Sequence, residues 1–179
     1  STECGRGIKQ NSKGNREVWI GGKLHISAVD GDIPVTAFYS GANIHDSSIA
    51  LPLIQETSKR VNYLYDLQDA GYDADIIREF SNKLGHRPII DTNPKNSKEL
   101  KAKIELMEHE GKTFKDINQH LNCDEEHYNQ RSMVERVNKY LKDDFGCDKI
   151  YYQGATKVAS VLAFGILSIC IHQSLQLVT

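Results

Sequence analysis

The chain reads as a mixed α/β fold. Three observations predict it: two strand-like runs joined by an Asp-Gly-Asp turn, alternating helix and strand signals after them, and two strong helical patterns at the end. At 179 residues the chain suits one compact domain, and a single domain over 1–179 is expected.

Each element has its own signal. Cys4 to Asn15 is rich in Gly, Lys, Asn and Ser and reads as a loop or frayed end. Glu17 to Ala28 carries Val18, Trp19, Ile20, Leu24 and Ile26 among polar residues, which predicts a strand that can bend at Gly21-Gly22. Asp30-Gly31-Asp32 is a turn, and Pro34 to Tyr39 is the returning strand of a hairpin. His45-Asp46-Ser47-Ser48 supplies capping residues ahead of a helix over Ile49 to Ser58. Val61 to Leu67 reads as a strand. Asp73 caps a helix over Ala74 to Leu84, Gly85 stops it, and Arg87 to Asp91 is a short strand.

Residues 94–127 change character. They are dense in Lys, Glu, Asn and His and read as a charged helical insertion, with Leu100, Ile104 and Met107 on one helix and Phe114, Ile117 and Leu121 on another. Tyr128 to Phe145 is a strongly amphipathic helix, and Ala155 to Val178 is apolar. The latter contains Gly165, His172, three serines and two glutamines, so its unbroken apolar run is well short of the roughly 20 residues that span a bilayer. A helix buried against a sheet is the expectation, with no membrane role.

Composition narrows the functional classes. With 39% hydrophobic and 26% charged residues the chain has the make-up of a soluble globular protein. A net charge of −2 counts against a simple nucleic-acid coat protein, whose affinity rests on phosphate neutralisation, but leaves room for a local basic groove. Arg6, Lys9, Lys13, Arg16 and Lys23 lie early, and Lys139, Lys142, Lys149 and Lys157 late; solubility charges would look the same. Cys4, Cys123, Cys147 and Cys170 form no C-x-x-C pair and no zinc-like cluster, so reduced thiols in a cytoplasmic protein are expected. Ser1 to Arg16 has no apolar segment of a secretory leader.

Two constellations carry chemistry. Asp69 stands at the carboxyl end of a predicted strand, beside a glycine turn, where open α/β sheets place ligand chemistry. An ordinary strand-to-helix turn has the same look. On the amphipathic helix, Tyr128, Arg131, Glu135 and Lys142 fall within a stripe of roughly 60°, opposite Met133, Val134, Val137 and Leu141. A carboxylate flanked by cations suits a metal-bound phosphate: the acid holds the metal and the cations hold phosphate oxygens. A solvated face laced with salt bridges has the same spacing.

The pattern Tyr128-x2-Arg131-x3-Glu135-x6-Lys142 resembles the Y-x2-R-x3-E-x6-K signature of DDE transposases from bacterial insertion sequences. Three other segments, in the family's order, are similar to its motifs: Gly22-Lys23-Leu24-His25, Gly41-Ala42-Asn43-Ile44-His45-Asp46 and Asp69-Ala70-Gly71-Tyr72-Asp73. The resemblance implies an RNase H-like fold, a mixed sheet of about five strands flanked by helices. It implies catalysis by Asp69 and Glu135 as ligands of a two-metal Mg²⁺ site in which Mn²⁺ can substitute. It implies DNA contacts from Tyr128, Arg131 and Lys142, with Lys23 and His25 lining the site. The partners would be transposon ends and target DNA, bound by a homodimer near the nucleoid.

One feature departs from the family. Its first catalytic aspartate commonly precedes Ser-Thr, and the sequence given opens on Ser1-Thr2-Glu3. A stretch lacking that acid and its strand is expected to cleave DNA poorly or not at all. Glu3 would sit about 7 Å further along a strand. The alternative reading is a relic domain that binds DNA or a partner without cutting. An RNA–DNA hybrid nuclease has no need of the Tyr-Arg-Glu-Lys stripe, and a plain interaction module would tolerate loss of Glu135.

Overall fold

A computed structural model of the chain describes residues 4–10, 14–90, 102, 105–106, 109–111, 130 and 132–178. The fold is mixed α/β. The chain divides into two compact units, one of Ser1–Val61 with Ser132–Thr179 and one of Asn62–Arg131.

The first unit begins with β1 (Gly5–Gln10), β2 (Arg16–Val29) and β3 (Ile33–Gly41), an antiparallel set in the order β1-β2-β3. β2 changes partner part-way along. Its residues from Arg16 to Gly21 pair with β1, and those from Gly22 to Val29 pair with β3. The glycine pair expected to bend the strand is therefore where one hairpin ends and the next begins. β1 corrects the reading of Cys4 to Asn15 as a loop. Gly7, a loop signal in sequence, pairs directly with Trp19, and a Cβ at position 7 would lie 2.3 Å from the indole ring. The glycine is there to let the ring lie over the strand. In the β2–β3 turn Gly31 and Asp32 both take positive φ, +82° and +57°. Pro34 pairs with Ala28 beside a register shift, since Ser27 pairs with Thr36, and at such an irregularity its missing N–H costs the ladder least.

α1 (Asp46–Ser58) packs on β2 and β3. The capping expected from His45 to Ser48 takes another form. His45 is the N-cap but its side chain caps no helix N–H; its Nδ1 lies 2.8 Å from Ser47 Oγ. The Asp46 carboxylate pairs with Lys23 instead, while still lying at the positive end of the helix dipole. Pro52 lies inside this helix and withholds one backbone donor.

α3 (Ser132–Asp143) and α4 (Ala155–Val178) complete the unit. Ile26 of β2, Val137 and Leu141 of α3 and Ile169 of α4 form its core, with Leu24, Phe145 and Ile166 packed around them. Burial of each such side chain is worth about 1.5–3 kcal/mol. Gly165 brings α4 close to α3: a Cβ there would meet Cys147 Sγ at 2.7 Å and Leu141 Cδ2 at 3.0 Å. Arg136 clamps α3 to the β2–β3 turn, donating from Nε and Nη2 to the Asp32 carboxylate at 2.7–3.0 Å and from Nη1 to Ser132 Oγ. The clamp holds the one non-glycine residue with positive φ among those described.

α4 differs from expectation. It buries one side only, through Leu162, Gly165, Ile169 and Gln173. Phe164, Leu167, Ile171, Leu175 and Val178 are all more than half exposed. By length and composition it is a helix able to cross a membrane, yet one of its faces is committed to β3 and α3.

The second unit holds β4 (Tyr65–Gln68), a 3₁₀ turn (Ala70–Tyr72), α2 (Asp75–Lys83) and β5 (Arg87–Ile90), with β4 and β5 parallel. This is a β-α-β arrangement. β4 starts later than the predicted Val61, and Asp91, expected to close the last strand, lies outside the described residues. Ala74, not Asp73, occupies the cap of α2; the Asp73 carboxylate accepts from Arg78 Nη2 at 2.8 Å. Gly85 follows α2 with φ +82°, as expected of a helix stop. Of the 94–127 insertion, residues 102, 105, 106 and 109 are helical; Leu100, Ile104, Met107, Phe114, Ile117 and Leu121 lie outside the described residues.

Asp66 of β4 is buried. Its Oδ2 accepts from Ser81 Oγ of α2 and lies 3.1 Å from His86 Nδ1, and Tyr63 stacks on His86 with ring centroids 4.1 Å apart. Burial first, and the Asp66 carboxylate second, push the Tyr63 hydroxyl far above its ordinary range, so it stays protonated and bonds to Asp66. A carboxylate is tolerated in this strand because hydroxyl and imidazole groups replace its water.

Ser81→Ala leaves that carboxylate short of a donor and is expected to cost about 1–3 kcal/mol. Urea unfolding followed by far-UV circular dichroism checks this. An unchanged midpoint would show that the network contributes nothing. Fluorescence is the wrong probe, because the single tryptophan, Trp19, lies in the other unit.

Candidate active site

Asp69 directly follows β4 and is exposed. Its Oδ1 accepts the Gly71 N–H at 2.9 Å, and its backbone carbonyl accepts the Tyr72 N–H at 3.0 Å. These two bonds make the tight turn at the strand end and fix the direction of the carboxylate. Asp69 belongs to the second unit.

Glu135 and Lys142 belong to the first unit, on α3. Both are exposed, on the side opposite Val137 and Leu141, which are buried. Two turns of helix separate them, so they stand one above the other on the same face. Tyr128 and Arg131, which precede α3, lie outside the described residues.

The upstream motifs do converge. Lys23 Nζ donates to Asp46 Oδ1 at 2.9 Å and to the Ile44 carbonyl at 3.1 Å. His25 lies next to them with Nδ1 3.9 Å from Asp46 Oδ1 and Nε2 2.8 Å from Ser40 Oγ. Lys23 and His25 are two apart on β2, so their side chains share a face of the strand. The glycine-asparagine segment after β3 carries Asp46 to that face. Burial lowers the His25 pKa; Asp46 opposes this in part, and Lys23 adds to it. The imidazole is therefore neutral near pH 7.

Other ion pairs were not legible in sequence. Lys9 pairs with Glu17 across β1 and β2 at 3.1 Å, so that cation and Lys23 are both matched locally rather than waiting for phosphate. The Arg136–Asp32 clamp joins residues 104 apart in sequence, which no local pattern reveals. For Asp66 there was a signal: an acid at an inward position of a short strand, with a histidine just past the helix stop that follows.

Asp69 and Glu135 are hard oxygen donors at exposed positions, a donor type that fits a divalent cation. Among the described residues no three His, Cys, Asp or Glu side chains gather into a cation cluster. Cys4, Cys147 and Cys170 are free thiols, and burial raises the pKa of the latter two, which makes them poor nucleophiles.

The His25 environment sets a pH dependence. Its folded pKa is below the reference of 6.5, so the unfolded chain takes up a proton first as pH falls. The stability it contributes is complete above about pH 6.5 and declines as pH falls from there through the folded value. Urea midpoints read from Trp19 fluorescence at pH 7.5 and 5.5 measure the decline, and His25→Gln should flatten it. An equal slope in that variant would place the effect elsewhere.

The model of the transposase DDE domain family matches residues 3–171. No curated protein and no solved structure matches the chain. The match runs through both units and takes in Lys23, His25, Asp46, Asp69, Glu135 and Lys142, and on that extent the chain belongs to the transposase DDE domain family.

Proposed function

We propose that this chain is the catalytic core of a DDE transposase, one RNase H-like domain that cuts DNA at transposon ends and joins it to a target. The family match over residues 3–171 carries the reading. The exposed carboxylate of Asp69 at a strand end, held by the Gly71 N–H, supports it. In this reading Asp69 and Glu135 hold divalent metal, Mg²⁺ by preference. Bound metal would supply an activated oxygen nucleophile and neutralise charge on the leaving oxygen.

The remaining roles fall to the chain's own groups. The Asp69 turn fixes one carboxylate before metal arrives, which reduces the ordering cost of binding. Lys142, two turns from Glu135 on α3, offers an ammonium to a DNA phosphate, and Tyr128 and Arg131 extend that set. His25 stays neutral beside Lys23 and Asp46. Double-stranded DNA is the partner, engaged by a homodimer in the cytoplasm.

Titration with Mn²⁺ followed by electron paramagnetic resonance tests the metal roles. D69N and E135Q should each weaken binding on the order of tenfold to a hundredfold, with the far-UV spectrum unchanged. Retained affinity in both variants sinks the enzyme reading. If K142A still lowers DNA affinity and the salt slope by about one, the domain would be a DNA binder that does not cut.

A further inference from the structure

The hairpin of β1 and the outer half of β2 has two faces with different duties. Residues 5–20 carry four cations and one acid, a net charge of +3 in a chain whose total is −2. Side chains alternate along both strands, and the register sorts them. Gly7, Lys9, Glu17 and Trp19 share the back. There the indole fills the space over Gly7, and Lys9 pairs with Glu17 at 3.1 Å. That face is given to holding the two strands together. The front has Arg6 opposite Ile20 and Ile8 opposite Val18, with Arg16 at the far end. Ile8, Val18 and Ile20 are 47%, 49% and 80% exposed, and both arginines are exposed. Among the described residues neither arginine takes part in an ion pair, whereas Lys9 and Lys23 each have one. No Asp or Glu stands on the front.

We infer that the front of this hairpin is a β-ribbon that docks in the major groove of double-stranded DNA, with Arg6 and Arg16 as its phosphate contacts. The inference rests on DNA being the partner, as proposed above, and adds a second contact surface to that of α3. The major groove is about 12 Å wide and admits a two-stranded ribbon. Arg6 and Arg16 stand on opposite strands, about 13 Å apart along the ribbon, so their guanidiniums can reach phosphates on both walls. Ile8, Val18 and Ile20 lie between them, where the base edges present thymine methyl groups. Because the back face already fixes the strands, docking requires little further ordering. A second copy is the poorer occupant, since pairing this face with itself would bring like charges together. An anionic bilayer also attracts cations, but three apolar side chains give it little area to bury.

Fluorescence anisotropy with a labelled DNA duplex, read over a series of salt concentrations, tests this. Each phosphate contact contributes about 0.9 to the slope of log affinity against log salt. R6A and R16A should each reduce that slope by about one, and the double variant by about two. R6K with R16K should keep it. K9Q removes the same charge from the back and should leave the slope unchanged. An RNA duplex of the same sequence, whose major groove side chains cannot enter, should bind about tenfold more weakly or worse. The parent's slope retained in R6A/R16A, an equal loss in K9Q, or equal affinity for the RNA duplex would each overturn the proposal. So would binding of the parent to phosphatidylserine vesicles in place of DNA. All variants should keep the parent's urea midpoint by Trp19 fluorescence. A large fall in R6A/R16A would also overturn the proposal, because the arginines would then serve the fold. Should R6A/R16A match the parent while K142A still weakens binding, the ribbon falls and the role of Lys142 stands. Mn²⁺ binding at Asp69 and Glu135 is measured without DNA, so failure here leaves the transposase reading intact.

Discussion

The contact of Val137 and Leu141 with Ile26 and Ile169 is the constraint on which the first unit depends. It joins a strand, an amphipathic helix and the last helix through side chains that are almost fully buried. Because those two α3 residues are spent on the core, helical geometry turns Glu135 and Lys142 to the opposite side, where both are exposed. The polar face is thus a by-product of packing as much as of selection for chemistry. Gly165 serves the same contact from α4, since any side chain there would push Cys147 and Leu141 away.

Polar interactions divide in a similar way between holding and acting. Asp66 is buried and met by Ser81, His86 and Tyr63, so its charge is spent on joining β4 to α2 and to the entry of β5. Asp69, three residues on, is exposed and bonded at one oxygen by a backbone N–H. The same residue type in one short segment has two destinies, set by whether the strand is still paired at that point. Lys23, His25 and Asp46 form a third group, in which α1 is held by its first-turn acid rather than by a cap.

Much of this was legible in the sequence, and the failures have physical causes. Period and turn chemistry located the β2–β3 hairpin, α2 with its Gly85 stop, and β5, because local preference and tertiary packing agree there. The two faces of α3 were legible for the same reason. β1 was not, since Gly5 and Gly7 look like a loop until Trp19 is known to lie against Gly7 and Asn43 against Gly5. The caps at Asp46 and Asp73 were misassigned because each acid had a distant or later cation, Lys23 or Arg78, that outbid the backbone. Hydropathy overstated how far α4 is buried, since composition counts apolar residues without saying how many faces a helix has to share. Asp69 and Glu135 were singled out by motif spacing, and the structure places both at exposed positions.

The change of partner at Gly21-Gly22 has a consequence for the way this unit comes apart. A strand paired on one side along half its length and on the other side along the rest has no residue with two strand neighbours to hold it. Ile8, Val18 and Ile20 in the outer half are 47–80% exposed, whereas His25 and Ile26 in the inner half are buried. Amide protons of β1 and of Arg16 to Ile20 should therefore exchange with solvent through a local opening that leaves the inner hairpin closed. The outer hairpin would then open as a unit of its own, ending where the pairing changes at the two glycines.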